Sequence, residues 1–121
     1  MKIIISNSSK EPIYEQIAIQ IKNLILSNNL KEGEILPSIR NLAKELSISV
    51  ITTKRAYDEL EKEGFIETTP GRGSFVASQN KELLRERRLS IIEEKLTEVI
   101  NDCKLINLSL QEIMEMIKII Y

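Results

Sequence analysis

The chain contains no histidine and no tryptophan, a single cysteine at Cys103, and only two phenylalanines and three tyrosines. Without histidine, the commonest general base and metal ligand is missing. A lone cysteine with no histidine makes an activated nucleophile a poor expectation, and no spaced Cys/His cluster exists to hold zinc. Cys103 has no partner for an internal disulfide, which fits a reducing cytoplasm. So few aromatics disfavour a single-strand binder that works by stacking bases on rings. Gly71-Arg72-Gly73 is too short for a dinucleotide loop and lacks its strand-to-helix setting. No apolar run approaches the roughly 18 residues of a membrane span. The apolar segment in Met1–Asn7 is too short for a secretory signal. These absences point away from enzymes, cofactor carriers and metalloproteins, and toward a cytoplasmic binding protein with no cofactor, no metal site and no membrane partner.

What is present suits a folded chain. At 121 residues there is room for one compact domain and an appendage. The composition, 42% apolar and 29% charged, is that of a globular protein and not of a disordered one. A net charge of −1 argues against a polyanionic partner only if charge is spread evenly, and it is not. Between Pro37 and Arg55 stand Arg40, Lys44, Lys54 and Arg55 against Glu45 alone; from Asp58 to Glu67 five carboxylates face one Lys62. Binding to phosphate depends on the local field, so the total does not decide the matter.

Lys2–Ser6 reads as a short strand and Asn7–Lys10 as a polar turn. Pro12 suits the start of a helix, where a missing N–H costs nothing. Ile13, Ile17, Ile21 and Leu24 follow at helical spacing, which predicts an amphipathic helix from Pro12 to about Ser27 that stops at Asn28-Asn29. Lys31–Glu34 reads as a turn. Ser38 is the expected cap of a second, short helix with the apolar stripe Ile39, Leu42, Ala43 and Leu46.

Ser47-Ile48-Ser49 is a tight turn into a third helix that ends at Gly64. This helix has unlike halves. Ser49–Arg55 offers hydroxyls and two cations with no carboxylate, and Asp58–Glu63 is mostly acidic. Val50, Ala56, Tyr57 and Leu60 form its expected core face, leaving Ser49, Thr52, Thr53 and Lys54 to look elsewhere. By itself it is also compatible with an ordinary amphipathic surface helix. A short helix, a three-residue turn and a longer helix with a polar N-terminal end make a helix-turn-helix. Past Gly64 the period changes to two: Phe65–Thr69, the turn Pro70–Gly73, then Ser74–Ala77 predict a β-hairpin. The hairpin is either a plain closing hairpin or the wing of a winged helix, with Gly71 and Gly73 flanking Arg72 so that the backbone can approach a phosphate.

Residues from about Pro12 to Val76 resemble the DNA-binding domain of the GntR family of bacterial transcription regulators. The resemblance rests on Pro-Ile-Tyr-Glu-Gln-Ile from Pro12, Leu-Pro-Ser-Ile-Arg-Asn-Leu-Ala from Leu36, Thr-Lys-Arg-Ala-Tyr-Asp-Glu-Leu-Glu-Lys-Glu-Gly-Phe-Ile from Thr53, and Pro-Gly-Arg-Gly-Ser-Phe-Val from Pro70. It implies that Ser38 and Arg40 hold backbone phosphate and reach toward a base. It also implies that Ser49, Thr52, Thr53 and Lys54 face the groove, and that Gly71, Arg72 and Gly73 form the wing tip against the minor groove. The chain departs from the family at Val50-Ile51, where many members carry an arginine or another polar residue. Contacts to thymine methyls are the expected replacement.

Beyond Gln79 the apolar residues Leu89, Ile92, Leu96, Val99, Cys103, Ile106, Leu110, Ile113, Ile117 and Ile120 recur at spacings of three and four. Such a stripe needs a partner. Ser109-Leu110-Gln111-Glu112 is a capping-box pattern, so the run divides near Asn107 into two helices able to fold back on each other; one long coiled-coil helix is the alternative. The stripe is most simply buried against a second copy, with Cys103 as part of that core, although packing on the chain's own helix-turn-helix is also open. Within the family a tail this short is similar to the YtrA-like subgroup, whose members lack a large effector domain and often sit beside genes for ABC-type transporters. Little room is left for an effector pocket.

The expected architecture is mainly α with a small β-hairpin wing: a winged helix-turn-helix over residues 1–78 and a two-helix dimerisation tail over residues 79–121. The expected function is a cytoplasmic regulator, a repressor, that binds a double-stranded inverted-repeat operator as a homodimer. The alternative is a winged helix used for protein contact without DNA.

Overall fold

The computed structural model describes residues 1–121, the side chain of Lys81 excepted. The chain divides into two compact units, Met1–Gln79 and Asn80–Tyr121. The first contains α1 (Ile13–Leu26), α2 (Ile39–Leu46), α3 (Val50–Lys62), β1 (Ile66–Thr69) and β2 (Gly73–Val76); the second contains α4 (Lys81–Leu105) and α5 (Leu110–Ile120).

Each helix of the first unit starts and stops where its local chemistry directs. Pro12 precedes α1, and Asn28 ends it in the left-handed region at φ 63°, with the Leu30 N–H returning to the Leu24 carbonyl at 2.9 Å. Ser38 caps α2 by accepting the Asn41 N–H at 3.1 Å. Ser47 takes the left-handed conformation between α2 and α3, and the Ile48 N–H reaches back to Ala43 at 3.0 Å. Ser49 then caps α3 by accepting the Thr52 N–H. Gly64, at φ 81°, lets the chain leave α3 with the Phe65 N–H on the Leu60 carbonyl at 2.9 Å.

α3 packs on both α1 and α2 and reaches β1. The interior is formed by Ile17, Ile21 and Ile25 of α1, Leu42 and Ala43 of α2, and Ala56, Tyr57 and Leu60 of α3, closed by Phe65, Ile66, Phe75 and Val76. Lys22 of α1 pairs with Glu63 at the end of α3.

β1 and β2 pair antiparallel with Ile66 opposite Val76 and Thr69 opposite Gly73, as the change of period implies. The sheet has two strands, and a further backbone segment lies against its β2 edge. The turn expected over Lys31–Glu34 leads into this segment: Ile35 forms an isolated bridge with Phe75, and Gly33, Glu34 and Leu36 bond to the backbone of Val76 and Ser74. The predicted strand Lys2–Ser6 is corrected. Ile3 is buried, but the backbone of Ile4 and Ser6 pairs with the side-chain amides of Gln20 and Gln16, not with another strand. Each glutamine amide offers N–H donors and a carbonyl acceptor side by side, so each can stand in for the edge of a strand.

In the second unit Asn80 caps α4 through the Leu83 N–H, and Ser109 with Glu112 forms a capping box on α5. The division falls at Ile106–Ser109, with Asn107 at φ 60°. The two helices do not pack extensively on each other, so the expected fold-back is not a closed pair within one chain. Gln79 belongs to the first unit: its side-chain amide donates to the carbonyls of Gly64, Phe65 and Ala77.

Candidate nucleic-acid interface

The polar end of α3 is built by opposing its two faces. Thr53, Ala56, Tyr57 and Leu60, at spacings of three, one and three, are all buried and fasten the helix to the core. Thr53 therefore does not face a groove. It is 0% exposed, and its hydroxyl donates to the Ser49 carbonyl at 3.1 Å, which corrects the expectation that placed it among the DNA-facing residues. Val50 is corrected in the opposite sense: expected in the core, it is 47% exposed. Ile51 is 81% exposed, an apolar side chain held out from the first turn of α3. The face left to solvent carries Ser49, Val50, Ile51, Lys54 and Arg55, with Thr52 at its half-buried edge.

Hydrogen bonds stiffen this end. The Ser49 hydroxyl accepts the Thr52 N–H at 3.1 Å and donates to the Thr52 hydroxyl at 2.7 Å. Ser38 and Arg40 lie at the exposed start of α2. The two helices are held in register by Tyr57, whose phenol donates to the Pro37 carbonyl at 2.7 Å, one residue before the α2 cap. Burial pushes the Tyr57 phenol well above its ordinary value near 10, so it remains a donor through any physiological pH. As an apolar-stripe residue Tyr57 gave no hint of this positioning role, although a buried tyrosine needs a partner for its hydroxyl.

The cations differ in how they are held. Arg40 is exposed and has no ion pair or hydrogen-bond partner among the described residues. Arg55 lies over the Tyr14 ring at 3.9 Å. Lys54 is paired with Asp58 at 2.8 Å. In the wing, Pro70 and Gly71 make the turn closed by the Arg72 N–H on the Thr69 carbonyl, with Gly71 at φ 83° and Gly73 at φ 87°. Arg72 is exposed, yet its guanidinium stacks on Phe75 at 3.7 Å and donates to the Gly33 carbonyl at 3.4 Å. The arginine thus ties the wing to the segment that begins at Gly33.

The residues expected to form a dimer are in a different condition. Leu89, Ile92, Leu96, Val99, Ile117 and Ile120 are exposed, and Cys103 and Ile113 are half-buried. No group of acidic, cysteine or histidine side chains suited to a metal occurs among the described residues, and no helix among them is long and apolar enough to cross a membrane.

Residues 13–76 match the model for bacterial regulatory proteins of the gntR family. The chain is 41% identical over 110 residues to the HTH-type transcriptional repressor YtrA of Bacillus subtilis (strain 168), covering 91% of this chain and 85% of that one. Among solved structures it resembles a transcriptional antiterminator from Listeria monocytogenes EGD-e, with a TM-score of 0.77, 34% identity and coverage of 98% and 88% of the two chains. It also resembles YtrA from Sulfolobus acidocaldarius, a GntR-family transcription factor, with a TM-score of 0.64, 42% identity and coverage of 78% and 97%. With a helix-turn-helix, a wing and a match across more than half its length, the chain belongs to the gntR family of bacterial regulatory proteins.

Proposed function

We propose that this DNA-binding transcription regulator is a repressor that binds an inverted-repeat operator as a homodimer. The observation that carries the reading is the exposed end of α3, where Ser49, Ile51 and Lys54 stand out from a helix whose opposite face is buried. A helix held in this way presents its N-terminal turns to the major groove, as the second helix of a helix-turn-helix does. Repression is supported by the repressor of Bacillus subtilis that the chain resembles.

Each contact has a distinct chemistry. Ser38 and the helix ends hold phosphate, which sets register without reading sequence. Arg40 and Lys54 reach for guanine O6 and N7, and Ser49 and Thr52 give polar contacts at the groove edge. Ile51 and Val50 suit thymine methyls. Arg72, with Gly71 and Gly73 around it, leaves Phe75 to enter the minor groove beside the wing. The apolar stripe of α4 and α5 is covered by a second copy, and the two-fold axis sets half-sites about one turn of DNA apart. The reading places the protein in the cytoplasm with its DNA, and it assigns the chain no catalytic step and no effector.

The test is selection of bound sequences from random duplex DNA, followed by a salt titration on the enriched sequence. The expected result is an inverted repeat whose binding constant falls linearly, on logarithmic axes, as salt rises. Absence of both enrichment and salt dependence would transfer α3 to a protein-contact role. Transcription from a promoter that overlaps the repeat, measured with and without the protein, separates repression from activation.

A further inference from the structure

The pair between Lys54 and Asp58, on the exposed end of α3, is a contact that helix stability does not account for. Lys54 Nζ donates to Asp58 Oδ2 at 2.8 Å, with both side chains more than half exposed. Exposed pairs at this spacing contribute little, and the order here is the poorer one.

We propose that Asp58 is a specificity-determining residue that holds Lys54 back from phosphate and releases it only to a base edge. The inference rests on the operator reading above. In the free protein the carboxylate occupies the ammonium. A non-cognate duplex offers Lys54 phosphate but no base acceptor placed for it, and engaging that phosphate breaks the pair with no groove contacts to offset the loss. A cognate site offers acceptors such as guanine O6 and N7 within the groove, while the other contacts of α3 and the wing offset the cost of breaking the pair. Asp58 therefore weakens non-specific binding more than specific binding. Arg40 has no such partner, so the two cations that read bases are set differently: Arg40 is free to engage any duplex and Lys54 is gated.

The experiment uses the full chain and measures affinity for the selected operator and for a scrambled duplex of equal length, each across a salt series. Asp58→Asn should raise affinity for the scrambled duplex by roughly three- to tenfold and steepen its salt slope by about 0.9 per protomer, with a smaller change at the operator. Asp58→Ala should behave in the same way, which guards against an effect special to asparagine. In a Lys54→Met background, Asp58→Asn should add nothing. A gain that persists in that background would show direct repulsion of phosphate and overturn the gate. Unchanged scrambled-duplex affinity and slope in Asp58→Asn, with a wild type that selects its operator normally, would overturn it as well. A wild type with no salt-dependent DNA binding would instead bring down the operator reading, and the gate with it.

Discussion

The two units solve the burial problem in opposite ways. Met1–Gln79 closes its apolar surface on itself: Ile17, Ile21, Leu42, Ala56 and Leu60 are within a few per cent of complete burial, and three elements converge on α3. Asn80–Tyr121 leaves Ile92, Leu96, Val99, Ile117, Ile119 and Ile120 at about half exposed or more, on helices whose caps are as well formed as those of the first unit. Good local helix signals do not make a core. A helix whose apolar stripe has nothing facing it within the chain is complete in its backbone and incomplete in its packing, and most helix stability comes from packing. The first unit can hold a recognition helix rigidly by itself, whereas the second needs a surface from elsewhere.

This contrast can be broken at several points, and the largest effect lies in the closed core. Leu60→Ala should cost about 2–5 kcal/mol and abolish operator binding, as read by thermal unfolding and a gel-shift titration. The paired change Ile92→Asp with Val99→Asp should do the reverse. If a second copy covers the stripe as proposed, light scattering should show dimers for wild type and monomers for the double variant, and operator affinity should fall by about a hundredfold, while the first unit melts at its usual temperature. A double variant that stays dimeric would mean the stripe is not the interface.

Tyr57→Phe tests the joint between α2 and α3. Removing the phenol leaves the Pro37 carbonyl without its donor, at a cost of about 1–3 kcal/mol. The joint also has a pH signature. Because burial raises the folded-state value above the ordinary one near 10, the unfolded chain loses the Tyr57 proton first. The Tyr57 contribution is whole below pH 10 and falls as pH rises beyond it, so the Phe variant should show a shallower alkaline loss in denaturant titrations.

Arg40→Ala should weaken operator binding by about 1–3 kcal/mol at an unchanged melting temperature, since this exposed side chain has no ion pair or hydrogen bond among the described residues. The smallest effect is expected from Ser109→Ala. Loss of the capping box should cost α5 about 1 kcal/mol, seen as faster hydrogen exchange at the start of α5 with no change in the first unit.

Much of the fold was legible because its signals are local. Ser38, Ser49 and Ser109 cap helices through bonds made within three residues, and Asn107 turns the chain between α4 and α5. The wing was legible from its period of two and its Pro-Gly turn. Thr53 was misplaced although the signal was present: with Ala56, Tyr57 and Leu60 it completes a stripe, but a hydroxyl near other polar residues suggested solvent. The bridge at Ile35 had no signal in the sequence, because so short a segment carries too little pattern and its partner Phe75 lies some forty positions away.

The sequence by itself determined where helices begin and end, which of them form a helix-turn-helix, and that the tail carries a repeating apolar stripe, because caps, turns and periodicities act within a few residues. Only the tertiary structure decided which side chains of α3 face inward, where the Tyr57 hydroxyl finds its acceptor, and that Arg72 rests on Phe75. Periodicity gives the angle between side chains around a helix. The direction of the core, and hence which of those angles meets solvent, is set by the neighbours that fold against it.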